Sequence, residues 1–133
     1  MDDAPDLSAV DRFFDALAAN DMVALSESVT DDFVLWHGFD GIAYDRNGAI
    51  DALGQFAAAF PTRFIADEHR QSTASGCVQQ HLMVVETGDG QRRAWPVCVV
   101  IRMSGDRIAR LDEYIDRSGS FDPGGGVPRT PGL

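Results

Sequence analysis

Basic residues and cysteine are scarce in this chain, and long apolar runs are missing altogether. Eleven basic residues stand against 21 acidic ones, for a formal net charge of -10. That sign repels phosphate backbones, and the arginines, Arg92, Arg93, Arg102, Arg107 and Arg110 among them, gather into no stripe, which argues against a nucleic-acid partner. Two cysteines, Cys77 and Cys98, make neither a disulfide framework nor a zinc site. Read as reduced thiols, they point to the cytoplasm. No apolar stretch approaches the ~20 residues of a membrane span, and MDDAPDLS opens on acids where a secretory leader needs a basic start, so no membrane association is expected. His37, His69 and His81 show no HxH or HExxH spacing, so no metal site is expected either.

What is present suffices for one domain, since 133 residues bury a single core without staples. From Leu7 to Ala19, apolar residues at Leu7, Val10, Phe13, Phe14, Leu17 and Ala18 recur at helical steps. A shorter helix follows from Met22 to Val29. The run Asp32 to His37 reads as a strand, and Gly38, Gly41 and Asp45 mark a loop after it. A third helix spans Asn47 to Phe60, stopped by Pro61. Four further strands, Thr62 to Thr73, Cys77 to Glu86, Arg92 to Met103 and Arg107 to Asp116, are separated by hairpin-forming turns. The class is α+β: three N-terminal helices packed on a bent, mainly antiparallel sheet. Residues 1–121 form the domain, and 122–133 a flexible Gly/Pro-rich tail; Phe121, just ahead of it, is the residue able to tie the chain back.

This order of elements, with VDRFFDALAANDMVALSESVTDDFVLW at the start and DRIARLDEYIDRSGSF at the end, resembles the NTF2-like superfamily, which includes ketosteroid isomerases, limonene-epoxide-hydrolase-type enzymes and SnoaL-like polyketide cyclases. The resemblance implies a cone-shaped fold with an apolar cavity between helices and sheet. Against the isomerases, Phe13 falls where a tyrosine donor stands, His37 where the aspartate base stands, and Cys98 where a protonated aspartic acid stands. Against the epoxide hydrolases, Asp116 aligns with the water-activating aspartate and His37 with a water-holding asparagine, while Leu35 replaces a tyrosine. Their Arg-x-Asp pair becomes Gln79 with His81, or Gln80 with Leu82, according to register.

That register is open, because a one-residue slip turns every side chain over. A two-residue loop at Asp89 and Gly90 pairs His81 with Cys98. A three-residue loop, Gly88 to Gly90, pairs it with Val97 and places it on the face of Trp95 and Val99. The candidate catalytic groups are therefore His37, Asp116 and His81. Phe13, Leu35, Trp95, Val97 and Tyr114 are the candidate substrate-binding residues. Histidine suits a general base because its ordinary pKa, ~6.5, leaves it mostly unprotonated at neutral pH yet able to accept a proton.

The function expected is cofactor-independent acid–base catalysis on a small apolar oxygenated molecule, by proton abstraction next to a carbonyl with cyclisation or isomerisation. Two alternatives stay open: an epoxide-hydrolase-like enzyme activating water with Asp116 and His37, and a non-catalytic ligand-binding or assembly module. Two further expectations follow. One is a cavity of at least ~300 Å³. The other is a homodimer, because WPVCVVI carries apolar residues on both faces of its strand.

Overall fold

The computed structural model describes residues 5–116 and 119–123. Helix α1 (Ser8–Ala19) buries Val10, Phe13, Phe14 and Leu17, the face that the apolar spacing marks out. Asn20 ends it in the left-handed conformation, φ 54°, with its N–H on the Ala16 and Leu17 carbonyls, a cap that turns the chain sharply. The Asp21 carboxylate then accepts from Ala24 N and opens α2 (Met22–Glu27). Strand β1 (Val29–His37) begins earlier than the sequence suggests, taking Val29 out of the helix. A two-residue strand, β2 (Ala43–Tyr44), occupies what reads as loop. Asp45 caps α3 (Arg46–Ala59) through Gly48 N, and β3 (Arg63–Ser72), β4 (Gly76–Glu86), β5 (Arg92–Ser104) and β6 (Arg107–Ile115) complete the regular structure among the described residues.

The six strands form one sheet in the order β2-β1-β6-β5-β4-β3. All neighbours are antiparallel except β1 and β6, which run parallel with His37 opposite Glu113 and Leu35 opposite Leu111. The sheet is therefore mixed, and the third helix follows β1 and β2 instead of preceding the sheet. Gly38 permits the close approach at this junction: its N–H donates to the Glu113 carbonyl at 2.8 Å, and a Cβ there would meet the Tyr114 ring at 2.9 Å.

Period-two alternation sends Leu111, Glu113 and Ile115 inward with Val97, Val99 and Ile101, and the apolar ones pack with α1 into the main core. The hairpin between β4 and β5 closes as Thr87 N donates to Gln91 O, and His81 pairs with Val97. The three-residue register is thus the one adopted. A second apolar cluster of Ala66, Leu82, Val84 and Ala94 lies on the outer face under Phe64 and Phe121. Phe121 is held there by two backbone hydrogen bonds with Ala94, 2.8 and 3.0 Å. Of the Gly/Pro-rich tail, residues 124–133 lie outside the described residues.

One charged side chain is built into the body. Arg63 is 7% exposed. It donates to the carbonyls of Leu17 and Ala18 at the end of α1, and of Ala57, Phe60 and Pro61 at the end of α3. Helix C-termini carry unsatisfied carbonyls and partial negative charge, so a guanidinium between two of them satisfies both at once. Burial lowers its pKa from the ordinary value.

Candidate active site

Between α3 and the inner sheet face lies a cavity of about 510 Å³. Leu17, Leu35, Leu53, Phe56, Phe60, Met83, Trp95, Val97 and Ile115 give it apolar walls. His37 and Glu113 are its ionisable lining residues among those described. Their convergence follows from the parallel β1–β6 pairing, which sets the two residues side by side and both inward. His37 Nε2 lies 3.5 Å from Glu113 Oε1, and Nδ1 lies 3.9 Å from Asp40 Oδ2. Phe39 stacks on the imidazole at 4.7 Å and Tyr44 meets it edge-on at 5.2 Å. Because Nδ1 is buried, the ring offers its Nε2 side to the cavity.

Of the residues singled out in the sequence, Leu35, His37, Trp95 and Val97 line this cavity. The other candidates do not line the cavity. Phe13 packs into the closed end against Phe14 and Phe33, at 5.1 and 6.4 Å. Tyr114 is on the outer face, where it meets Trp36 edge-on at 5.5 Å, and β6 ends at Ile115, ahead of Asp116. Asp116 is exposed in the turn after β6, so close to Gly119 that a Cβ there would collide with its carboxylate. Glu113 takes the place in the cavity that Asp116 was expected to hold. Its signal was present in the sequence, since Leu111 and Ile115 bracket it at period two.

His81 faces inward, one step beyond the cavity wall, with its ring edge-on to Phe14 at 5.2 Å. Arg70 donates through Nε and Nη2 to Gln79 Oε1, at 2.9 and 2.8 Å, and is itself paired with Asp11 at 2.9 Å. That fixes which way the Gln79 amide points. Its nitrogen faces His81 Nδ1 at 3.0 Å, so Nδ1 accepts and the ring proton sits on Nε2. Burial pushes the His81 pKa down to about 4.

A folded-state value below the unfolded ~6.5 means that the unfolded chain binds the extra proton first. The stability this neutral histidine contributes is complete above pH ~6.5 and is lost as the pH falls toward 4. At ~1.4 kcal/mol per unit, the loss is about 3 kcal/mol. Urea midpoints measured from pH 7 down to pH 4 are expected to show it, with a shallower fall in His81→Leu. An unaltered slope in that variant would assign the effect to other groups.

Among the described residues, no three His, Cys, Asp or Glu side chains gather closely enough to hold a metal ion, and no helix is long and apolar enough to cross a membrane.

The profile of the SnoaL-like domain family matches residues 10–111. No curated protein matches the sequence. Among solved structures, IdmH from Streptomyces antibioticus, proposed to be a polyketide cyclase, superposes with a TM-score of 0.76 at 15% identity, covering 84% of this chain and 91% of that one. A protein with a ketosteroid-isomerase-like fold from Catenulispora acidiphila, in complex with trimethylamine, gives 0.72 at 14% identity, with 83% and 86% covered. An LEH-like epoxide hydrolase of M. tuberculosis gives 0.70 at 19% identity, with 83% and 81% covered. At these identities the likeness is one of fold.

Proposed function

Since the chain belongs to the SnoaL-like domain family, we propose that it is a cofactor-independent acid–base enzyme acting on a neutral, largely apolar carbonyl compound. The observation that carries this reading is the His37–Glu113 pair, 3.5 Å apart at the wall of an otherwise apolar cavity. Two ionisable groups converging in such a site are what proton transfer at carbon requires. His37 Nε2 takes the proton from a carbon next to the carbonyl, and the electron pair moves onto the carbonyl oxygen. The Glu113 carboxylate stabilises the imidazolium that forms.

Return of the proton to a different carbon isomerises the substrate. Attack of the enolate carbon on a second carbonyl of the same molecule closes a ring instead, and the new alkoxide takes the proton back. Besides His37, Gln55 and Trp95 are the lining side chains that carry an N–H to offer the enolate oxygen. Water activation by Asp116 and His37 together would need both in the cavity, and Asp116 is not a lining residue. The test is solvent deuterium exchange: a panel of neutral cyclic ketones and 1,3-dicarbonyl compounds is incubated with the protein in D₂O, and loss of the C–H signal is followed by NMR.

The homodimer belongs to the same proposal. Val100 is 41% and Tyr114 49% exposed on the outer sheet face, and Trp36 and Val78 lie part-buried beside them. A second copy packed on this face would cover all four. Light scattering at micromolar concentration is expected to give twice the 14.4 kDa chain mass. A mass of one chain would remove the dimer from the proposal.

A further inference from the structure

On the outer sheet face, away from the His37–Glu113 pair, lies a second groove of about 310 Å³. The pairings His69 with Gln80, Gln80 with Cys98, and Cys98 with Tyr114 set these four side chains in one row across β3, β4, β5 and β6. At ~4.8 Å per strand the row is roughly 14 Å long. Asp67 stands at its β3 end, and Leu82 and Pro96 provide apolar lining.

Asp67 is costly in two ways. Between Ala66, opposite Leu82, and His69, opposite Gln80, β3 spends three steps where β4 spends two. Asp67 lies in that bulge at φ +58°, a conformation for which glycine is the unstrained choice. Its Oδ1 is also buried and has no hydrogen-bond donor, which leaves a desolvated carboxylate oxygen unmatched. The arginines flanking it on β3 are engaged elsewhere, Arg63 with the helix ends and Arg70 with Gln79 and Asp11. A left-handed backbone and an unmatched carboxylate oxygen at one part-buried residue are a combination kept for a ligand more readily than for folding.

The lining fixes the ligand's chemistry. No lysine or arginine lines the groove, whose other titratable side chains besides Asp67 are His69, His81, Cys98 and Tyr114, and the net charge of -10 draws cations toward the surface. A carboxylate anchor, the Gln80 amide and an apolar flank suit a planar or tetrahedral nitrogen cation on a short alkyl stem.

We propose that this outer groove binds a guanidinium or alkylammonium group, with Asp67 as the anionic anchor and Leu82 and Pro96 flanking the stem. The group belongs either to a free small cation or to an arginine of a second copy. All eleven Lys/Arg positions of the chain are arginine, and Arg102 is exposed on the same face.

The test uses ethylguanidinium chloride at low millimolar concentration, with N-ethylurea as the neutral isostere and sodium chloride as the ionic-strength control. Amide signals of Asp67, His69 and Gln80 are expected to shift saturably with ethylguanidinium alone, while those of His37 and Glu113 stay in place. Asp67→Asn is expected to weaken the effect at least tenfold. If the cation comes from a second copy, light scattering shows a dimer that Asp67→Asn or ethylguanidinium dissociates. If it is a free small molecule, the mass is unaffected and the shifts remain.

Asp67→Asn and Asp67→Gly are both expected to unfold at the same or higher urea concentration than the parent, because strain or charge is removed and no internal partner is lost. Shifts that are absent, or identical in Asp67→Asn, together with an unchanged mass, overturn the proposal. So does a lowered urea midpoint in both variants, which would make the carboxylate part of the fold.

Discussion

His37→Gln is expected to retain the fold and to slow deuterium exchange by the ~100- to 10,000-fold that loss of a general base typically costs. Glutamine keeps hydrogen-bonding capacity but cannot accept a proton at neutral pH, so the loss reports chemistry and not packing. Glu113→Gln should slow the same exchange. The double variant should lose less than the product of the two single losses, because both groups act on one transition state. Titration of His37 by NMR separates this from a merely structural pairing and needs no substrate. An ionised Glu113 at 3.5 Å favours the imidazolium, so the His37 midpoint in Glu113→Gln should lie below that of the parent. Superimposable titration curves would mean that the two side chains do not communicate, and the acid–base pair would have to be given up.

Arg63→Met is expected to cost about 3 to 5 kcal/mol, the range for breaking a buried charged network while leaving its partners unmatched. Methionine fills part of the space but offers no donor, so carbonyls at the ends of both α1 and α3 lose theirs. With a urea slope of ~1 to 3 kcal/mol per molar, the midpoint should fall by roughly 2 M. Arg63→Lys should fall in between, since an ammonium keeps the charge and cannot reach as many carbonyls. Leu17, Ala59 and Phe60 line the cavity beside this clamp, so the same guanidinium also holds part of the cavity wall. A midpoint within the ~0.5 kcal/mol spread of ordinary surface substitutions would show that water replaces the guanidinium.

The elements visible in the sequence are those with local causes. The helical spacing of Val10, Phe13, Phe14 and Leu17, Pro61 after α3, and the turn residues between the later strands each act over a few residues. What stayed hidden depends on partners far along the chain. A tyrosine and an aspartate two apart share a face only while the strand lasts, and β6 ends between them; only its pairing with distant strands decides that Tyr114 faces out, which turns Glu113 in. Likewise the spacing around His81 allowed two registers, and the closure of Thr87 on Gln91 selected one. The bulge at Asp67 lies in a stretch without glycine, ADEH, so nothing local announces it. Arg63 looks like any arginine at the start of a strand until two helix ends are brought to it.

The parallel seam between β1 and β6 also governs when His37 and Glu113 can meet during synthesis. β1 emerges early and β6 is the last of the strands, and the pairing that joins them closes one of the longest loops in the chain, a slow and late event for a sheet built of distant contacts. A nascent chain that has already folded its helices and its β3–β4 hairpin still holds His37 on a strand whose neighbour has not arrived. Such a chain has no Glu113 beside the imidazole. The His37–Glu113 contact therefore reports completion of the fold, and a truncation ahead of β6 removes the carboxylate and the strand that aims the histidine in a single step.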